Sequence, residues 1–448
     1  MRWNAGRTLV TMAAAVRVAV AVAGTPEDWR LPPSHEQMLP DSVDCWEPAL
    51  AVAPGGTVFV VAGKRSGSPG ADDYDQRQVI WRSDDHGKTF SGPVPVSPDG
   101  YLHADERIAI GANGTVYISY IDQDTKARGS SVTRLRLARS VDNGRTFSVE
   151  TVSTEHVIDK PELAVSRDGQ HLYVVYESSP GPRVVASHDA GLTWGAPRVV
   201  RQSEGRHFWP TALAVAPDGS VWFAVPSMSD ADIAKRRQTP VQLHVFRSQD
   251  RGVTWEDFDL GSSPRFLGDC AHDPACRVKL PVVMVAVDDR NRALVAYMQG
   301  DGPRQPYGLF LRASGDSGRT WSPPQTVSAA SRPQSHDTAD HDSPMIASSG
   351  SNRLCIVWAD DRRGALDMWT RCSADGARTF GDDVLLSDRA DGASYKSASG
   401  FASFYGHYGG AAIDDSGRLH AVWAVGDKDR RTGSVWFNSI DVKDAARR

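Results

Sequence analysis

Ser83-Asp84-Asp85-His86-Gly87-Lys88-Thr89-Phe90 decides the fold, because near-copies of it run through the chain. Reduced to Ser-x-Asp-x-Gly-x-Thr-aromatic, it returns at Ser140/Asp142/Gly144/Thr146/Phe147, Ser187/Asp189/Gly191/Thr193/Trp194, Ser248/Asp250/Gly252/Thr254/Trp255 and Ser314/Asp316/Gly318/Thr320/Trp321, and in degraded form at Ser373/Asp375/Thr379/Phe380. A carboxylate two residues before a glycine accepts turn N–H groups while the glycine takes φ > 0. Each copy therefore predicts a self-stabilised hairpin turn, with the trailing aromatic packed in a fixed direction. The copies recur about every 45 to 65 residues, the length of one four-stranded sheet in a β-propeller.

Upstream of each turn lies the same series: an opening strand, a Gly-containing turn, a second strand, a variable loop and a third strand. The openings are Pro48–Val52, Arg107–Ile110, Pro161–Val165, Thr211–Val215, Pro281–Val285 and Pro344–Ala347. The second strands, such as Val116–Tyr120 and Leu172–Tyr176, have the β-branched and aromatic content of strands. Gly410–Ile413, Leu419–Trp423 and Ser434–Phe437 form a seventh unit without the turn. The expectation is an all-β chain forming a single, seven-bladed propeller of four-stranded antiparallel blades, its last blade completed by a strand from residues 34–44; six blades with an appended sheet is the alternative. Residues 1–23 read as a signal peptide, 24–44 as an N-terminal segment holding the closing strand, and 45–448 as the propeller.

At 448 residues and a formal net charge of −5, with basic runs as short as Lys235-Arg236-Arg237, the chain gives no reason to expect nucleic acid or an anionic membrane as partner. Arg2 and Arg7 precede an apolar stretch, Leu9–Ala23, ending in Ala21-Val22-Ala23, which predicts secretion with cleavage before Gly24. No later stretch reaches the ~18 apolar residues of a membrane span, so a soluble, extracellular monomer is expected. The five cysteines predict disulfides Cys270–Cys276 and Cys355–Cys372, leaving Cys45 as a free, buried thiol.

The repeated turn is that of the Asp-box, or BNR repeat, and over residues 45–442 the chain resembles the sialidase-like β-propellers. The resemblance implies that the boxes hold turns on the face away from the ligand, between third and fourth strands, and are not catalytic. Sialidases of this fold carry an Arg in an Arg-Ile-Pro motif of the first blade, one of three arginines that clamp the substrate carboxylate. Here Trp46 stands at that position, before Glu47-Pro48, and Arg107 in Glu106-Arg107-Ile108-Ala109 falls in the second blade, about three positions out of register. The scaffold is matched and the arginine set is not.

Ligand residues are expected where inner strands begin around one channel mouth, and in the loops from second to third strands. Two residues before the recurrent proline stand Trp46, Ala104, Asp159, Phe208, Lys279, Asp342 and His407, followed by Glu47, Asp105, Lys160, Trp209, Leu280, Ser343 and Tyr408. The densest polar arc then spans units five, six, seven, one and two. Asp342, Glu47 and Asp105 are the candidate catalytic carboxyls, with His407 and Tyr408 as further acid–base candidates. Trp46 offers a stacking face, Lys279 and Arg362 could hold an acidic substituent, and Asp360 and Asp159 complete the binding set. These readings point to a secreted glycoside hydrolase. The alternatives are a lyase acting by β-elimination on a uronic-acid polysaccharide, with His407 and Tyr408 as base and acid, and a non-catalytic glycan- or protein-binding propeller. No cofactor is required, although His336-Asp337-Thr338-Ala339-Asp340-His341-Asp342 could hold calcium or another divalent ion.

Overall fold

The computed structural model describes residues 36–66, 75–97, 101–124, 132–235, 240–264, 282–300, 307–328, 341–350, 352–363, 366–387, 409–426 and 433–447. These form seven antiparallel blades around one axis. Blade 1 runs through Cys45–Val52, Val58–Ser66, Asp75–Ser83 and Val94–Pro95; blade 2 through Tyr101–Ile110, Val116–Asp124, Thr133–Ser140 and Ser148–Glu155; blade 3 through Asp159–Val165, Leu172–Glu177, Arg183–Ser187 and Arg198–Val199. In blade 4 the inner strand is split, Arg206–Phe208 and Ala212–Val215, before Val221–Ser229, Pro240–Ser248 and Glu256–Pro264. Blade 5 follows from Val283–Val287 to Gln325–Thr326, and blade 6 from His341–Ser349 through Arg353–Asp360 and Asp367–Ser373 to Val384–Leu385. Blade 7 supplies Gly410–Ile413, Arg418–Gly426 and Gly433–Asp441. Among the described residues no helix is long and apolar enough to cross a membrane.

Blade 7 takes its outer strand from the other end of the chain: Gln37 and Met38 pair antiparallel with Phe437 and Trp436. The join continues through Leu39 N–H to the Val435 carbonyl (2.9 Å) and Asp44 N–H to the Gly433 carbonyl (2.8 Å). A buried cluster reinforces it from blade 1, where the Asp414 carboxylate of blade 7 lies 3.0 Å from His420 Nε2 and 3.1 Å from His86 Nδ1. Burial opposes ionisation of Asp414, yet His420, Ser416, the Arg418 N–H and His86 together hold it well below the usual carboxylate range.

The hydrophobic core is not central but divided among seven layers, one between each pair of consecutive blades and the last between blades 7 and 1. The second strands explain this. Val58, Val60 and Ala62 enter the layer toward blade 7, while Phe59 and Val61 enter the layer toward blade 2. Side chains alternate with period two, and both faces of the blade are covered, so these strands read as unbroken apolar runs.

The boxes form one repeated structure. In the first, Ser83 Oγ donates to Asp85 Oδ1 (2.7 Å), Gly87 N–H donates to Ser83 Oγ (2.9 Å), and Thr89 donates its N–H to Oδ1 (2.9 Å) and its hydroxyl to Oδ2 (2.7 Å) of Asp85. Foremost through the Thr89 N–H, and next its hydroxyl, the Asp85 carboxyl is held down to about 2. The sixth copy keeps the same bonds around Asp375 with Ala377 at the glycine position, φ +65, preceded by Gly376 at φ +77. Each box also meets the preceding blade: a Cβ on Gly87 would lie 2.5 Å from Phe437 Cζ, on Gly144 2.9 Å from Phe59 Cε1, and on Gly318 2.6 Å from Phe258 Cε2. The boxes are thus joints between blades as well as turns.

Cys355 and Cys372 are register partners on adjacent strands and form a disulfide, Sγ–Sγ 2.02 Å. Cys45 is a free, buried thiol, pushed far above the ordinary thiol range by burial. The expected Cys270–Cys276 pair lies outside the described residues.

Candidate functional site

Strand direction separates the two faces of the ring. Boxes join third to fourth strands on one face, so inner strands begin, second strands end, third strands begin and fourth strands end on the other. At this mouth four inner strands share one irregularity. Their register with the second strand slips between Trp46 and Ala49, Ala104 and Arg107, Asp159 and Glu162, and Asp342 and Met345. The bulged residues Glu47, Asp105, Lys160 and Ser343 have φ of +49, +54, +50 and +47. For residues with a Cβ this left-handed backbone is costly, and such bulges re-aim side chains at functional openings.

The bulges of blades 2 and 3 bring together a polarised carboxyl pair. The Lys160 backbone N–H lies 2.9 Å from Asp159 Oδ1 and 3.5 Å from Asp105 Oδ2, so the two carboxyls converge on one donor. Burial and then the Asp105 charge push Asp159 well above the usual carboxylate range. For Asp105 burial is outweighed by Lys160, Asp159 and Arg107, leaving it ionised; Lys160 Nζ stands 3.8 Å from Asp105 Oδ1. Asp159 remains half-buried, at the rim.

More acids flank the pair. Glu106 takes the place that proline holds at Pro48, Pro161 and Pro344. Its carboxyl accepts the Gly63 N–H at 2.5 Å and is pushed up to about 8 by burial and then by Glu47. Glu162 holds Arg107 at 2.8 Å, burial raising its carboxyl above the ordinary value. Glu177, the register partner of Asp159, accepts from His207 Nε2 at 2.7 Å, while its buried Oε2 has no hydrogen-bond partner. The His207 ring packs edge-on against Trp209, centroids 4.4 Å apart. On the other flank Trp46 carries the Arg65 guanidinium on its face at 4.4 Å.

Of the expected arc through units five, six, seven, one and two, much of the part in units five to seven lies outside the described residues. Among the described residues the ionisable groups concentrate on blades 1 to 4. Trp46, Glu47, Asp105 and Asp159 lie on this mouth. The backbone of Asp342 occupies the equivalent bulge in blade 6, its side chain outside the described residues, as are Lys279, His407, Tyr408 and the stretch 336–340. Asp360 and Arg362 require correction as substrate ligands. Arg362 is spent on Asp360 (2.5 Å), Asp383 (2.7 Å) and Ser328 (2.8 Å), and stacks on Trp369 at 4.2 Å. Asp360 is fully buried and also accepts from Trp358 Nε1. Together they brace blade 6. Phe208 is likewise buried in the core rather than turned to the mouth. Sequence reasoning missed Glu106, Glu162, Glu177 and His207; pairing the last residue of each second strand with the first of its inner strand would have found Glu177. No three His, Cys, Asp or Glu among the described residues are grouped as cation ligands.

Fold and mouth together define a seven-bladed β-propeller with a carboxyl-rich channel opening. No protein-family model matches the chain, and no curated protein does. Solved structures that resemble it include a Hadza microbial sialidase (14% identity, 90% of this chain and 66% of that one, TM-score 0.47). A Dyadobacter fermentans protein of unknown function is similar at 14% identity, 90% and 97% coverage and TM-score 0.49. A Penicillium chrysogenum α-L-arabinanase complexed with arabinobiose is similar at 13% identity, 92% and 97% coverage and TM-score 0.48. The likeness is one of general fold.

Proposed function

We propose that the chain is a glycan-acting hydrolase working outside the cytoplasm, with Asp159 as proton donor and Asp105 as the carboxylate that keeps it loaded. One observation carries this reading: two carboxyls, Asp159 and Asp105, converge on the Lys160 N–H at a channel mouth, where Asp159 is half-buried and raised by burial while Lys160 favours the ionised form of Asp105. Glycosidic hydrolysis needs a neutral acid to protonate the leaving oxygen and a second carboxylate to activate water or attack the sugar. Asp105 and Asp159 converge on the same Lys160 N–H, whereas the two carboxyls of a glycosidase flank the scissile bond about 5 to 9.5 Å apart. Asp105 is therefore a positioning residue, and Glu47, one blade beyond it, is assigned as the second carboxyl. Trp209, half-buried on one flank, offers an aromatic surface for a sugar ring.

The charges favour a neutral sugar. Glu162 engages Arg107, Lys160 faces Asp105, and Arg362 is consumed within blade 6, so none of these cations is arranged to clamp a substrate carboxylate. The disulfide in blade 6 fits an oxidising compartment. A glycan panel with product analysis tests the reading. New reducing ends without ultraviolet absorbance support the hydrolase, unsaturated products would replace it with a lyase, and retention without turnover would leave a binding propeller. On any glycan the parent cleaves, Asp159→Asn is expected to lower kcat by at least ~10²-fold with the fold intact.

A further inference from the structure

A second opening has a lining that comes within two residues of Asp159 in the chain. It is a cleft of about 640 Å³ between blades 2 and 3, bordered by Thr154, Glu155, Val157, Ser178, Arg183 and Pro197. Its two walls run directly into the mouth: residues 155–157 lead into Asp159, and Ser178 follows Glu177. The volume falls within the ~300–1,000 Å³ of ligand sites.

We propose that this cleft is a saccharide subsite, so that the ligand is an uncharged oligosaccharide extending from the mouth outward over blades 2 and 3. The polar centre of the cleft is built in advance. Glu155 accepts from Tyr176 Oη and Ser178 Oγ, both at 2.6 Å, and from Ser153 Oγ at 3.3 Å, and Arg183 Nε stands 3.1 Å from it. Arg183 is anchored further by the Ser179 carbonyl at 3.1 Å. A carboxylate and a guanidinium fixed side by side match two neighbouring sugar hydroxyls, one donating to Glu155 and the other accepting from Arg183. Their charges cancel, which favours neutral units over uronates or amino sugars, and Val157 and Pro197 supply apolar surface for the C–H face of a ring. An apolar ligand would leave the ion pair without the polar partners it now finds in water.

The inference rests on the hydrolase reading only for the bond cleaved at Asp159; binding in the cleft is separable. The probes are uncharged hexaoses of several sugars, titrated against the full chain, against Thr154→Trp, which fills the cleft from an exposed position, and against Asp159→Asn. The expected result is hexaose binding weakened at least tenfold by Thr154→Trp, retained by Asp159→Asn, and absent for the matching monosaccharide. Should Thr154→Trp melt early, Thr154→Tyr and competition by disaccharides read the same occupancy. Equal hexaose binding by parent and filled variants would overturn the subsite, as would no binding by any hexaose. Binding through the cleft without turnover by the parent would keep the subsite and remove the hydrolase.

Discussion

Asp159 and Glu106 are both carboxyls that burial keeps protonated near neutrality, but one faces the opening and the other is sealed behind it. Their titrations therefore do different work. If Asp159 is the acid, turnover falls as pH rises through about 8, where its proton is lost. Asp105→Asn removes a neighbouring charge that raises Asp159, so the alkaline limb should move to lower pH; an unmoved limb would deny Asp105 its positioning role. Glu106 affects stability instead. Its folded value lies above the unfolded one, so the unfolded chain releases a proton that the folded chain keeps, and stability drains away between about pH 4.5 and 8. Glu106→Gln keeps an acceptor for the Gly63 N–H and has no proton to release. Its melting temperature should gain on the parent across that window and be level with it in acid; a gap that stays constant with pH would refute the assignment.

At the scale of single elements, the boxes work in the opposite pH direction. Their carboxyls are depressed, so their contribution is present above the unfolded value near ~4 and is lost as pH falls toward about 2. Thr89→Val deletes one donor to Asp85 and should move the acid-unfolding midpoint upward while leaving turnover alone. The box glycines make a graded series. All require left-handed backbone, costing an alanine about 1–2 kcal/mol. At Gly252 the nearest neighbour of an added Cβ is 3.6 Å away, whereas at Gly87 it is 2.5 Å, on the packed ring of Phe437. Gly87→Ala should therefore destabilise more than Gly252→Ala, as seen in chemical unfolding; the reverse order would show that the joint with the neighbouring blade is slack. These turns were legible in the sequence because every bond in them is local. The mouth bulges were not: a Glu, Asp, Lys or Ser at positive φ has no residue signature, and the acidity of Asp159 depends on Asp105, in the next blade. Asp360 and Arg362 misled for the same reason, since their consumption needs Asp383 and Trp369, which only the folded blade brings near.

For the whole molecule the question is how a ring is held shut. Blade count was readable from the repeat, and the missing seventh box signalled that its outer strand must come from elsewhere. Leu39, fully buried between blades 7 and 1, carries much of that join. Leu39→Ala should cost about 2–5 kcal/mol, as for other buried leucines, and lower the melting temperature as one transition rather than releasing blade 7 alone. An early, separate melting step would mean that the seven layers are not coupled.

Because Gln37 and Met38 meet Phe437 and Trp436, the first and last strands of the propeller are sewn together at one seam. A ribosome must therefore deliver all seven blades before that seam can be stitched, and until then blade 1 waits with the apolar side of Val58, Val60 and Trp81 uncovered. Tension applied to the Gln37–Met38 strand would fall on those few rungs, so the ring should rip there and then peel blade by blade. The same logic makes the opening movable: a permuted chain begun at another inter-blade loop, with the present ends linked, would close on a different blade and keep the same mouth.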